Sequence, residues 1–125
     1  MNTTEILFTS LICFVILFQA GLSFGAPWGE LSMGGKYPGK YPPKMRIVAL
    51  INILVLLFIE SIMLIRSNLI ISDLFDLSRI AIWFVVVFFI LGTVMNAITQ
   101  SKWERIIWLP VNLVLLICSL LIALS

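Results

Sequence analysis

Long apolar runs separated by short polar connections account for most of this 125-residue chain. The runs predict four helices, over about residues 6–26, 47–65, 80–98 and 102–124. At about 1.5 Å of rise per residue, each helix matches the ~30 Å hydrocarbon thickness of a bilayer. Backbone groups in lipid must be hydrogen-bonded within the protein, so helices are the expected structure. The pattern predicts an all-α fold, a polytopic four-transmembrane-helix bundle, with residues 1–125 as a single transmembrane domain.

The first run has a second interpretation, as a cleaved signal peptide. Small residues at Ser23, Gly25 and Ala26 suit a cleavage site. However, residues 2–5 carry no Lys or Arg, and the apolar stretch is longer than the usual hydrophobic region of a signal peptide. We therefore expect an uncleaved helix.

Composition agrees with a membrane protein and leaves no room for a separate soluble module. Hydrophobic residues make up 62% of the chain and charged residues 11%, against about 45–50% and about 25% in soluble domains. The eight basic residues lie outside the apolar runs, the fourth of which spans residues 106–124, and mark the water boundaries. The first and third connections hold six of them and the second connection two: Lys36, Lys40, Lys44, Arg46, Lys102 and Arg105, against Arg66 and Arg79. By the positive-inside rule, the first and third connections are cytoplasmic and both termini lie outside.

The first connection is the longer of the two predicted cytoplasmic stretches. It is rich in glycine and proline, which disfavour a regular helix and favour turns and extended segments. Its Lys and Tyr side chains suit the headgroup layer, so an interfacial anchor is one interpretation. The other interpretation is that Trp28 and Glu30 belong to a ligand-binding surface.

The second stretch is the start of the fourth run. Ser101 and Glu104 have the spacing of a capping box, so a helix is expected to begin near Lys102. Arg105 and Trp108 follow in its first turns and are predicted to meet the first connection at the rim of a binding site.

Four amide side chains lie at a similar depth within the runs, six or seven residues from their predicted cytoplasmic ends: Gln19, Asn52, Asn96 and Asn112. Interhelical hydrogen bonds of this kind stabilise a bundle by roughly 0.6–2 kcal/mol each. The amides therefore predict either adhesion between helices or the floor of a cavity open to the cytoplasm. In the second case Asn52, Asn96 and Asn112 are candidate ligand-binding residues.

Glu60 is the one charged residue inside the second run. A carboxyl at that depth costs about 2.5–3.5 kcal/mol on insertion scales, so it is expected to face a partner, a cavity or a pathway. One interpretation is structural: either an ion pair with Arg66 or Arg79, or a neutral acid held by hydrogen bonds. The other is a proton- or cation-binding acid, in a cavity lined by the stripe that Glu60 shares with Asn52.

Several kinds of chemistry are disfavoured by what the chain lacks. It contains no histidine, the commonest general base and metal ligand. Neither a phosphate-binding glycine loop nor a nucleophile elbow is present. We expect no cofactor, no metal and no nucleic-acid partner, and we do not expect an enzyme, although a lipid-modifying membrane enzyme is an open alternative.

The motifs GAPWGE and GGK of the first connection, with S-x-x-E-R-x-x-W-x-P at the fourth run, resemble those of small, uncharacterised four-helix integral membrane proteins from bacteria. The resemblance covers nearly the whole chain and implies the topology. That family has no settled activity, so the resemblance implies no catalytic role.

Three hypotheses follow. The first is an inner-membrane protein that binds a small molecule or protein partner at its cytoplasmic mouth without catalysis. The second is a small transporter of a cationic or lipophilic compound, proton-coupled through Glu60 and functioning as a homodimer. The third is an accessory subunit of a larger membrane complex. Membrane lipid is an expected partner in all three.

Overall fold

A computed structural model describes residues 2–125 and shows a bundle of four α-helices. They are α1 (Thr3–Ser23), α2 (Pro43–Arg66), α3 (Phe75–Ile98) and α4 (Lys102–Leu124). The structure is 81% helical, has no strand among residues 2–125, and all four helices are long and apolar enough to cross a membrane. The all-α, four-helix prediction is confirmed, and the chain has the architecture of a multi-pass membrane protein.

Three helices begin earlier than the apolar pattern predicts: a polar cap extends α1, a proline extends α2, and α3 starts at Phe75 directly after a 3₁₀ turn at Ser72–Leu74. At α1, the Asn2 side chain accepts the Glu5 N–H at 2.8 Å, and the Glu5 carboxylate accepts the Asn2 N–H at 3.1 Å. This capping box satisfies two free donors at once. At α2, Pro43 occupies the first helical position, where its missing N–H costs nothing. α1 ends at Ser23, three residues early, where Gly25 adopts a φ of +95°.

α4 begins at Lys102, as predicted, but only half of the predicted capping box forms. The Ser101 hydroxyl accepts the Glu104 N–H at 3.3 Å. The Glu104 carboxylate does not return to the cap and instead accepts the Gly34 N–H of the first connection at 2.7 Å. The Glu104 carboxylate, which the capping-box spacing predicted to accept from the start of α4, therefore binds the first connection instead.

The helices form a ring in chain order, in which each packs against its sequence neighbours and α1 also packs against α4. Short connections favour antiparallel neighbours of this kind. The first connection (residues 24–42) and the third (residues 99–101) lie at one end of the bundle, here called the loop side. The second connection (residues 67–74) lies at the opposite, distal end.

The core differs between the two halves. In the distal half, all four helices share one cluster of buried side chains: Phe8, Ile12, Leu56, Ile59, Ile62, Met63, Ile82, Val85, Phe89, Leu115, Cys118 and Ile122. In the loop-side half, a smaller cluster joins only α1, α2 and the first connection, through Leu22, Tyr41, Met45 and Ala49. α3 takes no part in this second cluster, so the bundle is tightly closed at one end and looser at the other.

Candidate binding cavity beneath the first connection

The first connection folds back onto the start of α4. The Trp108 indole Nε1–H donates to the Leu31 carbonyl at 2.7 Å, and the Ser101 hydroxyl donates to the Glu30 carbonyl at 3.0 Å. With the bond from Gly34 to Glu104, these contacts fix the connection over the loop-side end of the bundle. The structure thus places on one side the two stretches that the sequence predicted to meet.

Hydrogen bonds within the first connection also fix its conformation. Two short 3₁₀ turns, Gly29–Leu31 and Met33–Gly35, shape it, and the Gly29 N–H donates to the Gly39 carbonyl at 2.9 Å. The hydroxyls of Ser32 and Tyr41 are hydrogen-bonded to each other. Burial raises the pKa of Tyr41, against the opposing effect of the Ser32 hydrogen bond, so the phenol stays neutral at physiological pH.

Aromatic side chains seal the contact between α1 and α4. The Phe18 ring lies 4.6 Å from the Trp108 ring, centroid to centroid, and the Phe14 ring lies 5.7 Å from it. Trp28 also stacks on Phe18, with the ring centroids 6.0 Å apart and the planes 10° apart. Gly21 makes room for Trp28, since a Cβ at that position would lie 2.0 Å from the indole ring.

Beneath the connection, the looser half of the bundle contains a cavity of about 370 Å³, within the usual ~300–1,000 Å³ range of small-molecule sites. All four helices and the connection contribute to its walls. Its apolar walls are Val15, Phe18, Leu31, Met33, Val55, Leu56, Phe88, Phe89, Met95, Trp108 and Leu115. Its polar lining is Gln19, Ser32, Asn52, Asn96, Glu104 and Asn112.

The four amides at equal depth all line this cavity, one from each helix. The Asn96 Nδ2 donates to the Gly92 carbonyl at 2.7 Å, and the Asn112 Nδ2 donates to the Trp108 carbonyl at 2.9 Å. Each of these amides keeps its side-chain oxygen and a second N–H for another partner. Hydrogen bonds between amides, the adhesive interpretation, do not occur among residues 2–125.

The amides of Gln19 and Asn52 have no hydrogen-bond partner in the described part of the protein. Neither side chain makes a hydrogen bond within residues 2–125, although both are half-buried in membrane-spanning helices. Burying an amide in an apolar environment without a hydrogen-bond partner costs roughly 2–7 kcal/mol. These side chains are therefore suited to a polar ligand group or water inside the cavity.

The cavity lining carries few ionisable groups. Among its described lining residues Glu104 is the one ionisable group, and no Lys or Arg contributes. The Glu104 carboxylate is already engaged with the Gly34 N–H. A wider groove of about 780 Å³ adjoins the cavity at Met95 and Asn96 and leads outward past Lys36.

The structure separates the predicted ligand-binding residues into two groups. Those that line the cavity are Asn52, Asn96, Trp108 and Asn112. Trp28 and Glu30 lie outside the lining: Trp28 stacks beside it, and Glu30 contacts Ser101 through its main chain. Arg105 also lies outside, exposed, and donates to the Thr99 carbonyl at 3.1 Å.

Glu60 is held by a hydrogen bond, one of its two structural interpretations, and not by the predicted ion pair. The Thr9 hydroxyl of α1 donates to Glu60 Oε1 at 3.1 Å, while Oε2 is buried with no partner among residues 2–125. The predicted pairing with Arg66 is wrong, because that guanidinium lies over the Phe75 ring at 5.3 Å and donates to the Ser125 main-chain oxygen at 2.6 Å.

The predicted cavity along the Asn52–Glu60 stripe is also cut short. On α2, Asn52, Val55 and Leu56 line the cavity, and Glu60, one turn further, does not. The buried core of the distal half closes the floor between them.

The residues that form the roof of the cavity, and part of its α3 wall, were not predicted from the sequence. Leu31, Ser32 and Met33 of the first connection cover the cavity, and Phe88 belongs to its α3 wall. In the sequence these residues are indistinguishable from other loop and lipid-facing residues. Their role depends on the contact between the first connection and the Trp108 indole, which joins residues far apart in the chain.

The hydrogen bond from Trp108 gives a direct prediction. Trp108→Phe keeps an aromatic ring against Phe18 but leaves the Leu31 carbonyl without its donor, which costs about 1–3 kcal/mol. We expect faster hydrogen–deuterium exchange of the amides of residues 29–35, measured by mass spectrometry. The matched control is Trp103→Phe, whose ring is 55% exposed and should leave exchange unchanged. Equal exchange in both variants would show that the indole does not hold the connection.

The chain has no match among protein-family models, curated proteins or solved structures. Its function is therefore inferred from the cavity, which joins hydrogen-bonding amides to apolar walls within a bundle of membrane-spanning helices.

Proposed function

We propose that this protein is a bacterial inner-membrane protein that binds a small amphipathic molecule in the cavity beneath its first connection, without catalysis. One observation carries the proposal: four amides, one from each helix, line the same cavity, and two of them have no partner within residues 2–125. Ligands that combine apolar surface with hydrogen-bonding groups match such a lining.

The distribution of basic residues supports a cytoplasmic position for the mouth of the cavity. Six basic residues flank the loop side and two flank the distal side. By the positive-inside rule the loop side faces the cytoplasm, and both termini face the other compartment.

The polar groups of the lining favour binding over chemistry. Nucleophilic catalysis needs a nucleophile held next to a base. Here the Ser32 hydroxyl is bonded to Tyr41, and the Glu104 carboxylate receives the Gly34 N–H. Both side chains shape the connection that roofs the cavity.

The position of Glu60 favours binding over proton-coupled transport. A transporter that uses this acid requires the acid and the ligand to share a pathway. Glu60 bonds to Thr9 instead, and the buried side chains of Leu56 and Phe89 lie at the floor of the cavity on the distal side.

The test uses N-phenylmaleimide, a small uncharged molecule with an apolar ring and two hydrogen-bond-accepting carbonyls. The full chain, with Cys13 and Cys118 replaced by alanine, receives a single cysteine as Val15→Cys, which lines the cavity. The matched control is Leu17→Cys on the same helix, where the side chain is 70% exposed and faces lipid. Both variants are reconstituted into vesicles, and the modification rate is followed by mass spectrometry.

We expect Val15→Cys to react faster than Leu17→Cys, with a rate that saturates as the probe concentration rises, because reversible binding precedes reaction. The thiolate is the reactive form of cysteine, and it forms more readily near water and polar groups than in lipid. Adding Asn52→Leu to the Val15→Cys chain should shift saturation to higher probe concentration. Equal rates at both positions, or a rate at Val15→Cys that stays linear in probe concentration, would reject the proposal.

A further inference from the structure

Helix contacts close the cavity on three of its four lateral sides, and the groove past Lys36 adjoins it at the loop-side end. Between α1 and α2, the buried residues Leu22, Met45 and Ala49 pack together. Between α1 and α4, the rings of Phe18 and Trp108 are in contact. Ligands therefore have no passage through either of these sides.

The third side, between α3 and α4, is closed where the Asn112 side chain packs against Gly92. A Cβ on Gly92 would lie 2.5 Å from the Asn112 Oδ1, so glycine allows the Asn112 side chain to pack directly against α3. Close approach through small residues is a common way for membrane helices to pack.

The fourth side, between α2 and α3, is open. α2 and α3 both contribute to the distal core, through residues such as Ile59 and Val85, but α3 contributes no residue to the loop-side cluster. No residue of α3 from 90 to 98 is buried. Three lining residues at this gap are exposed on the outer surface of the bundle: Val55 (38%), Phe88 (42%) and Met95 (66%).

The gap opens at the depth of lipid chains. Counted along the helix axes from the loop-side ends of the apolar runs at Ile98 and Ile47, Met95 lies about 5 Å and Val55 about 12 Å deep. One leaflet of the hydrocarbon core is about 15 Å thick. A molecule that passes between α2 and α3 therefore comes from the bilayer.

The lining chemistry selects among membrane molecules. A phosphate carried into the cavity would meet the Glu104 carboxylate and no cation among the described lining residues, since Lys36 lines the adjoining groove and not the cavity. If the phosphate stayed at the interface, only an acyl chain would reach the amides, and Gln19 and Asn52 would keep no hydrogen-bond partner. A lipid with a small uncharged polar end, such as a hydroxyl and ester of a glyceride, can sink to the amides and leave its chain in the gap.

We propose that the gap between α2 and α3 is a lateral portal through which an uncharged glyceride lipid of the loop-side leaflet enters, its hydroxyl and ester groups bonded by the four amides. The inference rests on the proposed function and adds the ligand class and its route.

The test uses the full chain in phosphatidylcholine vesicles that contain a trace of one of two photoreactive lipids. One is a diacylglycerol with a diazirine on an acyl chain, and the other is a phosphatidylglycerol with the same chain. After irradiation, attached positions are mapped by mass spectrometry. We expect the diacylglycerol probe to attach to cavity residues such as Phe18 and Leu115, and the phosphatidylglycerol probe to attach to outward-facing residues such as Leu91.

Portal variants test the route. Val55→Trp, a larger side chain at the rim, should reduce attachment of diacylglycerol inside the cavity several-fold. Leu54→Trp, its neighbour on the lipid-facing surface, should not. Met95→Trp blocks the same gap from α3 and should behave as Val55→Trp does, which guards against a folding defect in either variant.

Equal attachment of both lipids inside the cavity, or unchanged attachment in both portal variants, would overturn the inference. The failure of this inference is distinguishable from the failure of the proposed function. If N-phenylmaleimide still saturates at Val15→Cys while diacylglycerol does not attach, the binding site stands and the lipid ligand is rejected. If neither result is obtained, both proposals are rejected.

Discussion

Gly29→Ala is expected to detach the first connection from the bundle. Gly29 is buried, and a Cβ there would lie 1.9 Å from the Tyr37 carbonyl oxygen and 2.7 Å from the Gly39 carbonyl oxygen. Both obstacles are backbone atoms, so no side-chain rotation relieves the overlap. The Gly29 N–H bond to Gly39, which closes the turn, is lost with the displacement.

The measurement is limited trypsin digestion in detergent, because Lys36 and Lys40 are exposed trypsin sites within the connection. Gly29→Ala should be cut much faster than the unchanged protein. The matched control is Gly39→Ala, where a Cβ meets nothing within 4 Å and the φ of +79° costs about 1–2 kcal/mol. Digestion of Gly29→Ala at the unchanged rate would contradict the packing described for the connection.

The same variant links the connection to the cavity. Leu31, Ser32 and Met33 follow Gly29 directly and form the roof. If the connection detaches, saturation of N-phenylmaleimide labelling at Val15→Cys should be lost in Gly29→Ala and kept in Gly39→Ala.

Phe89→Ala is expected to cause the largest loss of stability among single substitutions in α3. The ring is 2% exposed, meets the Phe8 ring edge-to-face at 5.9 Å, and belongs both to the distal core and to the cavity wall. Removal of a buried Phe ring typically costs about 3–5 kcal/mol, since the space left behind is only partly filled.

The free energy of unfolding, from denaturant titration in mixed micelles, measures this loss. Phe84→Ala is the matched control, because its ring lies on the same helix but is 73% exposed and faces lipid. We expect that control to differ little from the unchanged protein. Similar losses in the two variants would mean that α3 does not present Phe89 to the core.

The helices and the shared depth of the amides could be predicted from the chain because both depend on local spacing. Apolar length sets each span, and 1.5 Å of rise per residue converts position into depth. That Gln19, Asn52, Asn96 and Asn112 all line one cavity agrees with this counting. Helix starts were less predictable, because the Asn2–Glu5 box extends α1 beyond its apolar stretch.

The roles of individual polar residues could not be predicted in the same way. Glu104 has the spacing of a local cap, yet it accepts from Gly34, 70 residues away. Arg66 is near Glu60 in sequence, yet Thr9 of another helix is the partner of that acid. In each case several acceptors or donors were compatible with the sequence, and the direction of the side chain on its helix selected one.

The sequence by itself determined that this protein is a four-helix membrane bundle with four amides at one depth, because hydrophobic length and helical rise are properties of each segment alone. Only the tertiary structure decided that the amides surround a cavity, that the first connection roofs it and that α2 and α3 part on one side. These features depend on how helices approach one another, and that approach is set by contacts such as Gly92 with Asn112 and Trp108 with Leu31, which join residues far apart in the chain.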